Sequence, residues 1–154
     1  MEASRPATET DLPRIVELAR AAEDELRPMR GGEVWAAQRC AGQPLEERLA
    51  DGLTRDDRLL LAGTLDDVVV GYASVRLESL PGDRVLAVVD DLFVESEARA
   101  VGLGEAMMAD IVQWCRDHGC TGIDAVALPG HRATKNFFEE SGMSARLLVM
   151  HRAL

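Results

Sequence analysis

The chain has 154 residues, of which 47% are hydrophobic and 29% are charged. This length fits one domain over residues 1–154, large enough to bury a core without disulfides or a structural metal. With 17 basic and 27 acidic side chains the net charge is −10, which argues against nucleic acid or an anionic membrane as the main partner. The charge weakly favours a cationic or neutral small partner, although an acidic surface also simply keeps a protein soluble.

Cysteine spacing and hydropathy exclude several further classes. The three cysteines form no CxxC pair, and no histidine stands at ligand spacing, so neither a disulfide framework nor a metal site is indicated. No apolar run approaches the ~20 residues needed to span a bilayer. The first residues are polar and lack the apolar stretch of a secretory signal. We therefore expect a cytoplasmic protein.

The first half of the chain predicts a helix followed by antiparallel strands. Pro13 and an apolar stripe at helical spacing indicate a helix that begins after Thr10 or Asp11. The signals over 27–57 are mixed, and only a short helix over 46–53 is indicated. Two apolar runs, 59–65 and 68–77, flank an Asp-Asp pair and predict a hairpin, and 84–94 predicts a third antiparallel strand.

The second half changes period. Met107, Met108, Ile111, Val112 and Cys115 form the apolar stripe of a helix that ends at Gly119. We then expect a strand over 123–128, a helix over 132–141 closed by a glycine, and a last strand over 147–150. Together these elements predict an α/β fold with a mixed sheet.

One segment has the pattern of a phosphate site. A strand leads through a short turn into Gly102 and Gly104, which open an amphipathic helix. The free N–H groups and the dipole at a helix N-terminus bind phosphates, and glycines allow a ligand close to the backbone. On spacing alone, tight strand–helix packing explains the two glycines equally well. A P-loop motif is absent, and the dinucleotide fingerprint lacks its third glycine because residue 107 is Met107.

The chain resembles the GNAT superfamily of N-acetyltransferases over nearly its whole length. Residues 99–104, Arg-Ala-Val-Gly-Leu-Gly, match the family element [R/Q]-x-x-G-x-[G/A], and Asp-Asp-Leu-Phe-Val before them looks like the family's fourth strand. Residues 5–11 look like the opening strand and first helix. Residues 136–143 stand where members usually show Tyr-Glu-x-x-Gly-Phe.

The resemblance implies a GNAT-like, twisted, mostly antiparallel sheet flanked by helices. Its fourth and fifth strands would splay apart to admit acetyl-CoA as cosubstrate, with no metal. The backbone of three strand residues would pair with the pantetheine, and the amides that follow would hold the pyrophosphate. The coenzyme-binding residues carried over by position are Leu92, Phe93, Val94, Arg99, Ala100, Val101, Gly102, Leu103, Gly104, Glu105 and Phe138. Because members often have basic residues where this chain has Ala100 and Val101, phosphate binding would depend on backbone donors.

The resemblance also implies catalytic roles. Asp90 matches an acidic position that removes the proton of the attacking amine in some members, although Glu78 or a water could do this instead. Phe138 stands where the family usually has the tyrosine that protonates the departing thiolate. A phenyl ring cannot donate a proton. His131 could act as that acid or contact the pantetheine, unless it is only a surface residue at a helix start.

These residues favour an acetyl-CoA-dependent N-acetyltransferase acting on a primary amine of a small molecule or peptide, by direct attack in a ternary complex. Because Phe138 replaces the usual tyrosine, an acyl-CoA-binding sensor or pseudoenzyme on the same fold remains the alternative. A structural domain without a nucleotide is the third reading. The resemblance leaves a homodimer open, and nothing in 27–57 names the acceptor.

Overall fold

The computed structural model describes residues 1–39, 41–99 and 101–154. The strands are β1 (Glu2–Pro6), β2 (Arg58–Leu65), β3 (Val68–Leu80), β4 (Arg84–Val94) and β5 (Gly122–Ala125), and the helices are α1 (Leu12–Leu26), α2 (Gly32–Arg39), α3 (Leu45–Thr54), α4 (Leu103–Asp117) and α5 (Arg132–Glu140). Within these ranges, no helix is both long enough and apolar enough to cross a membrane.

The strands form one mixed sheet in the order β1-β2-β3-β4-β5. The first four strands are antiparallel to their neighbours, and β5 runs parallel to β4. Asp66 and Asp67 turn the β2–β3 hairpin with positive φ angles of 48° and 67°. This topology confirms the predicted mixed α/β sheet and the meander of the middle strands.

Three expectations from the sequence need correction. The predicted strand over 147–150 is wrong: the segment is exposed and forms no strand, because none of the five sheet strands pairs with it. The predicted strand over 123–128 is too long, since β5 ends at Ala125 together with its pairing to β4. Helix α2 was not predicted, because the sequence signals over 27–57 are mixed.

Two apolar clusters cover opposite faces of the sheet. Alternate residues of β2 show this, because Leu61 joins one cluster and Leu60 the other. Helices α4 and α5 cover the first face through residues such as Met107 and Phe138. Helices α1 and α3 cover the second through residues such as Ile15 and Leu49. We call these the α4 face and the α1 face.

Candidate active site

The parallel strands β4 and β5 stop pairing after four residue pairs. Their pairing runs from Leu86 with Gly122 to Val89 with Ala125 and then stops. A cavity of about 320 Å³ opens where they diverge. Its lining comes from β4, from the chain after β5 and from the helices on both faces. The expected splay of the fourth and fifth strands is confirmed, and it makes a passage through the sheet.

A β-bulge lies at the point of divergence. Ser74 of β3 pairs with Asp91, but the next residue, Val75, pairs with Val89, so Asp90 is the extra residue of β4. The bulge shifts the alternation of side chains. Asp91 therefore lies opposite Ser74 and contacts groups of the α1 face, whereas Val89 belongs to the α4 face. Asp90 lies where the strand changes phase, and it lines the cavity.

Asp90 is a half-buried carboxylate whose ion-pair partner, among the described residues, is Arg76. Its Oδ2 lies 3.2 Å from Nε of Arg76, and its side chain keeps 24% of its exposure. Burial raises the pKa of Asp90 above its ordinary value, since the attraction of Arg76 only partly offsets the loss of water. A carboxylate with a raised pKa is a better proton acceptor, so this position suits a general base.

Glu78, the alternative base, is placed differently. It lies 3.5 Å from Nη1 of Arg76 and is exposed, and among the described residues the cavity lining does not include it. The geometry therefore favours Asp90 over Glu78.

Asp91 is a structural carboxylate, although it is the chain neighbour of Asp90. Its side chain is buried, and both oxygens accept hydrogen bonds: one from Arg39 of α2 and the other from Arg48 of α3, at 3.3 Å. Arg39 also donates to Glu23 of α1 at 3.1 Å. This network joins the three N-terminal helices to β4 beside Asp90.

The N-terminus of α4 has the conformation that the glycines predicted. Gly102 is its N-cap with φ of +85°, in the left-handed region that favours glycine, and no side chain caps the helix. The first intrahelical bond runs from the Ala106 N–H to the Gly102 carbonyl. The N–H groups of Leu103, Gly104 and Glu105 therefore precede the intrahelical ladder, and all three residues line the cavity. Val101 is outside the cavity lining, and Ala100 lies outside the described residues.

Arg99 also lines the cavity, but its guanidinium is engaged by the protein. Nε donates to the Val94 carbonyl at 2.8 Å, and Nη2 lies 2.9 Å from both carboxylate oxygens of Glu25. The guanidinium carbon lies 5.4 Å from the centre of the Phe93 ring. Arg99 thus connects the end of β4 to α1, and the Val94 carbonyl expected to pair with pantetheine already accepts a bond.

The expected strand contacts for pantetheine are otherwise open. Leu92, Phe93 and Val94 follow the point where β5 leaves β4, so no strand within the described part of the chain pairs with that edge of β4 there. An extended amide chain can bind such an edge as an added strand.

Helix α5 closes the α4 face of the cavity. His131 precedes its first turn, and the His131 Nδ1 lies at hydrogen-bond distance, 2.6 Å, from Oγ1 of Thr134. Phe137 and Phe138 both line the cavity, with ring centres 5.5 Å apart and edge contact. Phe138 is buried and carries no proton to donate. His131, the N-cap residue of α5, also borders the cavity.

Sequence reasoning missed the cavity residues of the N-terminal half. Trp35 of α2 and Tyr72 of β3 line the cavity from the α1 face, together with Glu25. Trp35 gave no signal in the sequence beyond its chemical type, because the segment 27–57 has weak periodicity. Burial, and then the nearby charge of Asp91, raise the pKa of the Tyr72 hydroxyl far above its ordinary value, so this phenol stays protonated. Within the described ranges no three His, Cys, Asp or Glu residues form a metal-binding cluster.

Comparisons with known proteins agree with this geometry. The model of the acetyltransferase (GNAT) family matches residues 17–143. An aminoglycoside N(6')-acetyltransferase type 1 from Stenotrophomonas maltophilia is 30% identical over 116 residues, which cover 66% of this chain and 72% of that protein. The chain therefore belongs to the GNAT acetyltransferase family and is an acetyl-CoA-dependent acyltransferase.

Solved structures show the same fold at low identity. An aminoglycoside acetyltransferase from an uncultured soil metagenomic sample, in complex with sisomicin, superposes with a TM-score of 0.72 at 18% identity, covering 99% of this chain and 95% of its own. AAC(6')-Iy in complex with a CoA bisubstrate analogue gives a TM-score of 0.72 at 18% identity, covering 100% of this chain and 99% of its own. These likenesses establish the fold.

Proposed function

We propose that this protein transfers the acetyl group of acetyl-CoA to a primary amine of a small molecule, by direct attack of the amine in a ternary complex. The observation that carries the proposal is the cavity between the splayed strands β4 and β5. It reaches the open N-terminus of α4 on one face and the α1 face on the other, with Asp90 between them. Two substrates can thus meet at the bulge from opposite sides.

The residues at the start of α4 fit a diphosphate. Leu103, Gly104 and Glu105 present N–H groups before the intrahelical ladder begins, and the helix dipole adds partial positive charge. A Cβ at position 104 would lie 3.1 Å from Cε1 of Phe137, so a larger residue there would press on this wall of the cavity. The exposed β4 edge at Leu92 and Phe93 would hold the pantetheine amides. Arg99 would add charge only by loosening its contact with Glu25.

Asp90 would act as the general base. Acetyl-CoA supplies the acetyl thioester, whose carbon–sulfur bond breaks as the nitrogen–carbon bond of the amide forms. An alkyl amine with a pKa near 10.4 is neutral in only roughly one molecule in two to three thousand at pH 7, so a residue that accepts its proton accelerates attack. The raised pKa of Asp90 and its place in the cavity support this role.

Turnover would not require the tyrosine that the family usually has at this position. Phe138 donates no proton, but a thiol with a pKa near 8.5 leaves as thiolate at neutral pH. The absence of a positioned acid would cost at most about 10²–10⁴-fold in rate. His131, held by Thr134, is the residue on this wall that could supply a proton.

Aminoglycosides are the first acceptors to test. The sequence relative is an aminoglycoside N(6')-acetyltransferase, and the net charge of −10 suits a polycationic substrate. The experiment measures CoA release with a panel of aminoglycosides, amino acids and short peptides, beside thermal unfolding with and without acetyl-CoA. We expect stabilisation by acetyl-CoA and turnover with at least one cationic amine. Stabilisation without turnover on any amine would contradict the proposal.

Phe138 favours a second candidate, an acyl-CoA-binding sensor or pseudoenzyme. This buried phenyl replaces the only proton donor that the resemblance predicts at the sulfur. The same pair of measurements decides, since a sensor would be stabilised by acetyl-CoA but would release no CoA. A domain that binds no nucleotide would show no thermal shift.

A further inference from the structure

We propose that Trp35 is the surface on which the acceptor packs, and that it selects amines carried on a saturated ring. Arg39 is its positioning residue. The inference rests on the proposed function in taking the occupant of the α1 side of the cavity to be the acetyl acceptor.

The cavity has two chemically different walls. The wall on the α4 face consists of helix N–H groups, His131 and the two phenylalanines, and it suits the coenzyme. The wall on the α1 face contains Trp35, which is half-buried and lines the cavity. Because the coenzyme would occupy the first wall and Asp90 lies between the two, an amine directed at Asp90 would lie against Trp35.

The Trp35 ring packs against Arg39. The guanidinium carbon of Arg39 lies 4.6 Å from the centre of the Trp35 ring, within the range of a cation–π contact. Arg39 itself is buried and ion-paired with Asp91 of β4 and Glu23 of α1. Burial opposes the charge of Arg39, but these carboxylates outweigh it and raise the pKa of the guanidinium. Trp35 is thereby connected through Arg39 to Asp91, the strand residue that follows Asp90.

The indole of Trp35 and the carboxylate of Asp90 together favour one kind of ligand. The indole face attracts ammonium groups and the C–H bonds next to them, and a flat ring covers the flat side of a saturated ring better than it covers a linear chain. Asp90 lines the same cavity and favours a cationic ligand, whereas Glu25 is paired with Arg99. The expected acceptor class is therefore a cationic amine attached to a six-membered ring, rather than a linear amine of equal size.

The two tryptophans of the chain make a direct binding test practicable. Trp114 packs on His118 with ring centres 4.2 Å apart and, among the described residues, is outside the cavity lining. In a Trp114→Phe protein the remaining emission comes from Trp35. We expect a saturable change in this emission with cyclohexylmethylamine, and a dissociation constant several-fold lower than for heptylamine, because the two amines share the ammonium group and differ in how much of the indole the alkyl part covers. A change caused by CoA alone, with none on adding either amine, would overturn the inference.

Kinetics provide the second readout. In Trp35→Leu we expect KM for cyclohexylmethylamine to rise to that for heptylamine, with kcat and KM for acetyl-CoA unchanged. Arg39→Lys keeps the buried charge but loses the planar contact, and it should raise KM for the ring amine while KM for acetyl-CoA stays constant. Equal KM values for both amines in the unaltered protein would overturn the inference and leave the proposed function standing. Saturable binding of the ring amine without turnover of any amine would support the inference and contradict the proposed function.

Discussion

Asp90 and Asp91 are adjacent in the chain but have opposite surroundings. Asp91 is buried and receives hydrogen bonds from two arginines, whereas Asp90 is the extra residue of a bulge, lines the cavity and has Arg76 as its ion-pair partner. The bulge separates their roles, because it sends one carboxylate into the packing of the N-terminal helices and leaves the other where the sheet opens.

Removing the charge of Asp90 should slow acetyl transfer. In Asp90→Asn we expect kcat/KM to fall by about 10²–10⁴-fold near neutral pH, since the amide cannot accept the proton of the amine. The measurement is kcat/KM against pH for wild type and variant. Asp110→Asn, on the exposed side of α4, is the matched control. An Asp90→Asn profile identical to that of wild type would remove Asp90 from the mechanism.

The same substitution should stabilise the fold at neutral pH. Because burial raises the pKa of Asp90, the folded state binds the proton more tightly than the unfolded state. The stabilising effect of protonation is fully present below the unfolded pKa and is lost as pH rises through the folded pKa. Urea unfolding should therefore give Asp90→Asn the larger free energy of unfolding at pH 7, and the difference should shrink towards about pH 4. A less stable variant at pH 7 would show that the Arg76 ion pair outweighs burial.

A hydroxyl at position 138 should accelerate turnover. Phe138→Tyr restores the phenol that the resemblance predicts near the leaving sulfur, and we expect kcat to rise by up to about 10²-fold. The control is Phe137→Tyr, which adds the same atom to the neighbouring ring of the cavity wall. If both variants or neither gained activity, the sulfur would not lie at Phe138.

Gly102 should matter for coenzyme binding beyond its effect on folding. Ala at φ of +85° is strained by about 1–2 kcal/mol, and Gly119→Ala, at φ of +69° beyond the other end of α4, carries a similar strain. Both variants should lose comparable unfolding free energy. Only Gly102→Ala should weaken acetyl-CoA binding, by several-fold in calorimetry, because only Gly102 lines the cavity. Equal coenzyme affinity in the two variants would contradict the phosphate site at α4.

Asp11 should stabilise the start of α1 in a pH-dependent way. Hydrogen bonds from Arg5, with others from Thr8, lower the pKa of Asp11 to about 2. Its stabilising effect is therefore present above the ordinary value of 3.8 and is lost as pH falls through about 2. Asp11→Asn should lose about 2 kcal/mol of unfolding free energy at pH 7, which is the size of effect that this lowering of the pKa represents. In urea titrations this difference should narrow below pH 3.8; a constant difference would point to packing alone.

Local patterns were sufficient for most of the fold. The helix stripe of α4, the Asp-Asp hairpin and the strand over 84–94 depend on neighbours in sequence, and the structure confirms each. The segment 147–150 has the composition of a strand. A strand forms only when another strand pairs with it, and local composition does not show whether one does.

The α4 side of the cavity was predictable from the sequence and the α1 side was not. Glycines at a helix start allow a ligand close to the backbone, and together with the family resemblance they led us to expect a binding site at Gly102 and Gly104, both of which line the cavity. Arg39 and Asp91 are 52 residues apart, and nothing local indicates that they pair. The same holds for Trp35, whose place depends on that ion pair.

The two apolar clusters on opposite faces of the sheet also bear on how the substrate range of this protein can change. The apolar residues through which α1 and α3 pack on the sheet are separate from those that pack α4 and α5, and the Glu25–Arg99 contact joins the two sides. Under the proposed function, an altered acceptor preference can therefore arise on the α1 side while the α4 side continues to recognise the same donor. Substitutions that change the preferred acceptor would then be concentrated in the N-terminal third of the chain.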